Sequence, residues 1–371
     1  MASIYLHIPF CKKRCIYCDF VSSTHDEMKR PYLETLCREL ETRRDYLQNK
    51  TVETVYFGGG TPSQLNVEEF EKIFHALSAF ALRPAPEITM EANPDDLTAT
   101  YVDSIRHLPF NRVSVGVQSF DDKELKFLHR RHTAETAAKA VERLQEKGFT
   151  NIGIDLMYGL PEQNEIGWRD TLRKAKSLSV RHISAYHLTY EENAPLYALL
   201  QHGQVRPAEE ETSVRLFEIL TEEMADAGFE HYEISNFALP GYRSKHNTSY
   251  WNGTHYLGVG AAAHSYNGRS RQWNVSSIAK YIESQTPENV EIIDEPTAYN
   301  DFILTRLRTR EGVDLAKPTV PFGKEKTDYC LRQAQKYIEN QCLERDGMRL
   351  RLTRKGIFVS DGIIRDLFFS A

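Results

Sequence analysis

Three cysteines, Cys11, Cys15 and Cys18, fall within the eight residues of "CKKRCIYC", directly after the short apolar run "SIYLHIPF". A closed structural zinc site takes four ligands, and disulfides consume cysteines in pairs. Lys12, Lys13 and Arg14 separate the first two cysteines. Such a cationic loop is expected to favour thiolates over thiols. Zinc with a distant fourth ligand is one reading. The other is a [4Fe–4S] cube held at three irons by Cys11, Cys15 and Cys18, with the fourth iron open to an exogenous ligand. Cys37, Cys330 and Cys342 lie on amphipathic helical patterns and read as small apolar packing residues.

Further chemistry-bearing residues cluster at the ends of other β-like runs. The glycines of "GGGTP", Gly58 to Pro62, follow "VETVYF". No G-K-[ST] follows them, so they form no P-loop. They suit either a plain turn or a place where bare backbone meets a ligand. Glu91 and Asp155 interrupt the apolar runs "ITMEANP" and "NIGIDLMYGLP". A lone buried carboxylate costs several kcal/mol, so each needs a partner such as ribose hydroxyls or a cationic ligand. His246 opens "HNTSYW"; a histidine among aromatics more often packs than binds. "GVGAAA", from Gly258, fits G-x-G-x-x-A but opens no βαβ unit and is discounted as a dinucleotide site.

The elements that must position these residues alternate in type. "SIYLHI", "VETVYF", "EITMEA", "RVSVGV", "NIGIDLMY" and "HISAYHL" read as strands, separated by helical patterns such as "YLETLCREL" and "AETAAKAVERLQEKG". Strands separated by helices pair in parallel. Ligands gather at the carboxyl ends of such strands, which favours an α/β barrel or partial barrel over residues 1–235. Residues 236–296 are rich in Gly, Asn, Ser and aromatics and read as loops and short strands covering the open side. Residues 297–371 read as a small, mainly helical domain with a β-wing.

A chain of 371 residues accommodates that division. Its net charge of −6 argues against nucleic acid as the main partner. No run reaches the roughly 18 apolar residues of a transmembrane helix. The start shows no signal-peptide pattern, and six cysteines are too sparse for a disulfide scaffold, so a cytoplasmic setting is expected.

"HIPFCKKRCIYCDF" closely resembles the signature of the radical S-adenosylmethionine (SAM) superfamily. The likeness to its HemN-type branch runs through "GVQSF", "RRHTAE" and "GIDLMYGLPEQ". That resemblance implies a partial (β/α)6 TIM-like barrel and a [4Fe–4S] cluster whose open iron takes the amino and carboxylate groups of SAM. It also implies SAM contacts from Tyr5, Gly59, Gly60, Thr61, Glu91, Gln118, Arg130 and Asp155. The branch holds an oxygen-independent coproporphyrinogen III oxidase, which oxidatively decarboxylates propionates, and a subgroup of haem chaperones. The oxidase pattern has a further cysteine two residues after the third, where this chain has Phe20. It also has an N-terminal segment before the first strand, on which this chain almost begins. H-N-x-x-Y-W resembles a signature of the chaperones. The expectation is therefore a haem chaperone, with His246 as the first haem-ligand candidate and the oxidase as the alternative. Its implied partners are haem-acceptor proteins, membrane-associated respiratory proteins among them, and an oligomer is compatible with the pattern.

Overall fold

A computed structural model describes residues 1–48, 50–283, 287, 289–316 and 322–369. Six parallel strands carry the architecture: β1 (Ala2–Ile8), β2 (Val52–Gly59), β3 (Leu82–Ala92), β4 (Arg112–Gln118), β5 (Ile152–Tyr158) and β6 (His182–His187). They are hydrogen-bonded in sequence order, each reached by a helical crossover. The segment after β6 meets the loop after β1, where the Leu196 N–H donates to the Ile16 carbonyl at 2.8 Å, so the sheet curls around a lumen. The expected partial barrel is what forms.

The strands are sided. One face sends Ile4, Leu6, Val55, Phe57, Met90, Val115 and Ile154 under the helices, all buried in one continuous core. The other face, one residue out of phase, carries Ser3, Thr54, Glu87, Thr89, Arg112, Ser114, His182 and Ser184, also buried. Buried parallel strands are ordinarily apolar on both faces. Here the inner face is polar, and its groups need partners inside the lumen.

Local signals set the crossovers. Asn66 caps the helix Val67–Leu77 in a capping box with Glu69, and Thr98, Thr133 and Asn164 cap the helices that follow β3, β4 and β5. Each cap opens its helix only after a loop has left the carboxyl end of the strand, and after β4 a first helix, Asp122–Phe127, intervenes, so the strand-end residues lie on loops above the lumen.

Residues after β6 lengthen the sheet at both edges. β7 (Glu230–Glu233) and β8 (Asn236–Ala238) add antiparallel beyond β6 through β8. β9 (His255–Val259) pairs parallel to β1, and β10 (His264–Tyr266), β11 (Ser270–Trp273) and β12 (Asn289–Ile292) follow antiparallel. Between the two edges, the helix Lys245–Trp251 packs on β1, β2 and β9. Beyond residue 295, three helices of eight residues or more and a three-stranded sheet (Val313–Asp314, Leu343–Asp346, Arg349–Leu352) enclose a second core around Ile303, Cys330, Leu350 and Ile364.

Glu39, on the helix Lys29–Thr42, ties the β9–β11 region to the barrel. Its carboxylate accepts from Arg43 (2.9 Å), Asn274 Nδ2 (2.9 Å), the Gly260 N–H (3.0 Å) and the Tyr281 hydroxyl (2.6 Å). Removing one partner of a buried ionic network strands the others. We expect Glu39→Ala to lose about 3–5 kcal/mol in denaturant unfolding, and Glu39→Gln clearly less. A loss below about 1 kcal/mol for the alanine variant would show that the network is not what fastens this region.

Candidate cofactor site

β1 ends at Ile8, and the chain leaves it as the loop that carries Cys11, Cys15 and Cys18, all free thiols. Among the described residues no three His, Cys, Asp or Glu groups converge on a single-ion site. The loop is pinned from below by His7. Its Nε2–H donates to the Val21 carbonyl at 2.8 Å, which leaves Nδ1 to accept from the Tyr5 hydroxyl at 3.1 Å.

The expectation that neighbouring cations depress the thiols is not met. Burial pushes Cys11 up to about 11, against the lowering effect of the Thr61 hydroxyl bonded to it, and burial also raises Cys18. The cations are engaged elsewhere. Lys12 pairs with Asp96 at 2.9 Å, and Arg14 donates to the carbonyls of Cys18 and Asn193. Cys11 and Cys18 are therefore protonated until something bound at the loop replaces the proton.

Around them stand the other residues singled out from the sequence. Thr61 Oγ1 lies 3.2 Å from Cys11 Sγ, and Arg130 Nη1 lies 3.3 Å from Cys15 Sγ. Arg130 Nη2 donates to Asn93 Oδ1 (2.5 Å) and to the Gly116 carbonyl (2.7 Å), while its Nε is buried without a partner. Gln118 adopts φ +68° where the β4–β5 register shifts. Its amide reaches over Gly116, where an added Cβ would stand 3.1 Å from Gln118 Nε2 and 3.4 Å from Arg130 Nη2.

The glycines serve the fold as well as any ligand. A Cβ on Gly59 would lie 2.4 Å from His7 Nδ1, and one on Gly60 would lie 2.7 Å from the Pro9 carbonyl carbon. The loop can seat on the end of β1 only without side chains at these positions. Gly59 is also at φ +106°, which glycine tolerates best.

Glu91 and Asp155 line the lumen just below. Glu91 accepts from the Tyr56 hydroxyl (2.7 Å) and the Gly59 N–H (3.2 Å), yet burial lifts it to about 7, aided by the Asp155 charge. Burial raises Asp155 to about 6 despite bonds from Ser184 and Ser114. Two enclosed acids with upward-shifted pKa values, an orphaned guanidinium N–H and three thiols on one loop suit one type of occupant. It carries a cation and hydroxyls toward Glu91 and Asp155, and a carboxylate toward Arg130. SAM on a [4Fe–4S] cluster has that chemistry.

His246 does not join this set. It sits on the helix Lys245–Trp251, 1% exposed, with Nδ1 on Thr54 Oγ1 (2.8 Å) and Nε2 on the Tyr250 hydroxyl (2.9 Å). Burial lowers its pKa to about 3, so it is neutral, and both ring nitrogens are committed. Its ring stacks on Tyr56 at 4.8 Å. As placed, His246 offers no lone pair to a haem iron. The expected ligand role is corrected to one of positioning: the helix plugs the lower lumen and props Tyr56 against Glu91.

Sequence reading also passed over Asp96, in "NPDD". Its side chain, 2% exposed, accepts from Lys12 (2.9 Å), Ser63 Oγ (2.9 Å), Gln64 Nε2 (2.5 Å) and Arg131 (3.3 Å). One carboxylate thereby joins the cysteine loop, the glycine loop and the Arg130–Arg131 loop. The available signal was an acidic pair directly after a strand end rich in polar residues.

Comparison with known proteins follows this geometry. A radical SAM superfamily model matches residues 5–175, and a HemN C-terminal domain model matches residues 293–359. The heme chaperone HemW of Lactococcus lactis is 32% identical over 97% of this chain and 96% of its own length. The chain belongs to the HemW family. The HemW of Bacillus subtilis is 37% identical over 76% of each chain, and that of Escherichia coli 34% over 86% of this chain and 85% of its own. Among solved structures, the Escherichia coli coproporphyrinogen III oxidase HemN superposes with a TM-score of 0.84 over 99% of this chain and 90% of its own, at 20% identity. That likeness establishes a shared fold.

Two outcomes follow. Glu91 holds a proton in the folded chain between its ordinary value of 4.5 and about 7, where the unfolded chain has lost it. Stability of the ligand-free protein therefore falls as pH rises through that window. Glu91→Gln should shrink the difference in melting temperature between pH 6 and pH 8 and melt above wild type at pH 8. An undiminished pH dependence would remove Glu91 as its source. For the Asp96 junction, native-state trypsin cleavage after Lys13 or Arg14 of the ligand-free chain should quicken roughly tenfold in Asp96→Asn and in Lys12→Gln, as a lost charge-assisted bond frees the loop. Unchanged cleavage in both would refute the junction.

Proposed function

We propose that this protein is a haem chaperone. It binds haem, holds a [4Fe–4S] cluster on Cys11, Cys15 and Cys18 with SAM at the open iron, and passes haem to acceptor proteins. The observation that carries the reading is the cysteine loop itself. It keeps three thiols but presents Phe20, 61% exposed, where the oxidase pattern has its further cysteine, in a chain whose near-full-length relatives are named heme chaperones. Tyr5, Gly59, Gly60, Thr61, Glu91, Gln118, Arg130 and Asp155 stand around the SAM position, with Asp155 and Glu91 as acceptors for its hydroxyls and cation. When bound, cluster and SAM supply one-electron chemistry. The chain's part is to seat them, exclude water and hold the two acids. Haem-acceptor proteins are the partners. Among the described residues no helix is long and apolar enough to cross a membrane, so approach to a membrane-associated acceptor would be from its surface.

The test compares the two activities of the branch on anaerobically reconstituted protein. About four irons per chain, a Soret shift on haem titration and no conversion of coproporphyrinogen III are expected. His246→Gln should retain the Soret band and full haem stoichiometry, because both ring nitrogens are engaged within the protein. SAM-dependent formation of protoporphyrinogen IX by the wild type would overturn the assignment in favour of the oxidase.

A further inference from the structure

A cleft of about 570 Å³ opens between the β7 edge and the C-terminal domain. Its lining is arginine-rich, with Arg243, Arg308, Arg310, Arg349 and Arg351 facing three carboxylates, Glu233, Glu311 and Glu344. The carboxylates are accounted for. Glu311 pairs with Arg243 at 2.7 Å, Glu344 with Arg351 at 3.5 Å, and Glu233 accepts from Asn236 and the Ser235 N–H. Arg349 pairs with Asp314 at 2.8 Å.

Two cations are less fully engaged. Arg310 is exposed and makes no side-chain ion pair or hydrogen bond with a described residue, although its charge is felt by the adjacent Glu311. Arg308 pairs loosely with the surface carboxylate of Asp361, at 3.7 Å, and its charge also acts on Glu233, while its Nε is buried without a hydrogen-bond partner. The Arg308 guanidinium lies over the ring of Trp251, 5.5 Å from its centroid, and the Trp251 indole N–H is likewise buried and unpartnered. Both groups are donors, so neither satisfies the other. Buried donors without acceptors are rare, and here they adjoin the cationic cleft. Leu307, Ile234, Leu352 and Ile357 complete the lining with apolar surface.

The helix Lys245–Trp251 links this cleft to the lumen: His246 in its first turn bonds Thr54 of β2, and Trp251 at its end lies under Arg308. A mainly polar cleft that combines incompletely engaged cationic donors with an apolar strip from Leu307, Ile234, Leu352 and Ile357 fits an apolar ligand carrying carboxylates.

We propose that this cleft binds the propionate carboxylates of a porphyrin, with Arg308 and Arg310 as the charged donors. The proposal rests on the haem-binding reading above and assigns a place to the ligand. It gives the last residue of the H-N-x-x-Y-W string a role distinct from that of the first. His246 fills the lumen, while Trp251 backs Arg308 at the cleft.

The test is haem titration of the full-length chain, followed at the Soret band. Arg310→Gln removes an exposed, unpaired cation and should leave the melting temperature unchanged while weakening haem binding roughly tenfold. Arg308→Gln should do the same or more. Haem dimethyl ester, whose propionates are blocked, should bind wild type and Arg310→Gln with equal, weaker affinity. Wild-type haem affinity in both variants would overturn the site while leaving haem binding intact. Inorganic phosphate that binds in an Arg310-dependent way, with haem unaffected by the substitution, would assign the cleft to a phosphate ligand and also overturn it. A wild type that binds no haem would overturn the functional reading and this proposal together.

Discussion

The polar inner face of the six parallel strands is the constraint from which the rest follows. Strands β1 to β6 bury both faces, and alternation places serine, threonine, glutamate, arginine and histidine on one of them. A buried polar group without a partner costs about 1–3 kcal/mol, so a lumen of this composition cannot simply collapse. It is satisfied in two ways along its length. At the amino end, protein fills it: the helix Lys245–Trp251 brings His246 to Thr54 and its own backbone N–H to Glu87. At the carboxyl end the strands bring Glu91, Asp155 and Arg130 together without completing their partners.

This division accounts for the behaviour of the two acids. They keep hydrogen bonds from Tyr56, Gly59, Ser114 and Ser184 yet are lifted toward neutrality, because burial outweighs those bonds and the pull of Arg112 and Arg130 on Asp155. Cys11 and Cys18 above them are raised for the same reason. A site that holds its acids and thiols at a disadvantage is arranged for a cationic, metal-bearing occupant. Its loops, meanwhile, are fixed in advance by His7 and Asp96 rather than by that occupant. Preorganisation of this kind lowers the ordering cost of binding.

The C-terminal domain takes part through its edge. The segment after the helix Glu295–Leu307 bridges to β7 and turns Arg308 and Arg310 toward the cleft, while Trp251 packs beneath Arg308 from the lumen-plugging helix. One short helix therefore contacts both regions, with its first turn in the lumen and its last residue at the domain boundary.

By itself the sequence determined the strand order and which chemistry-bearing residues stand at the strand ends. C-x3-C-x2-C after an apolar strand, three glycines after the next, and carboxylates interrupting apolar runs were legible because each depends on local spacing and on the cost of burying charge. Alternation and helix caps made the parallel barrel legible for the same reason. The roles of His246, His7 and Asp96 were decided only by tertiary structure. Whether a histidine is a ligand depends on what occupies its two nitrogens, and Thr54 lies 192 residues away from His246. Asp96 gathers donors from three separate loops, which no local pattern encodes. The thiol shifts were misjudged from sequence on the same ground: the adjacent cations point to partners that only the fold supplies, and burial is a property of the folded chain.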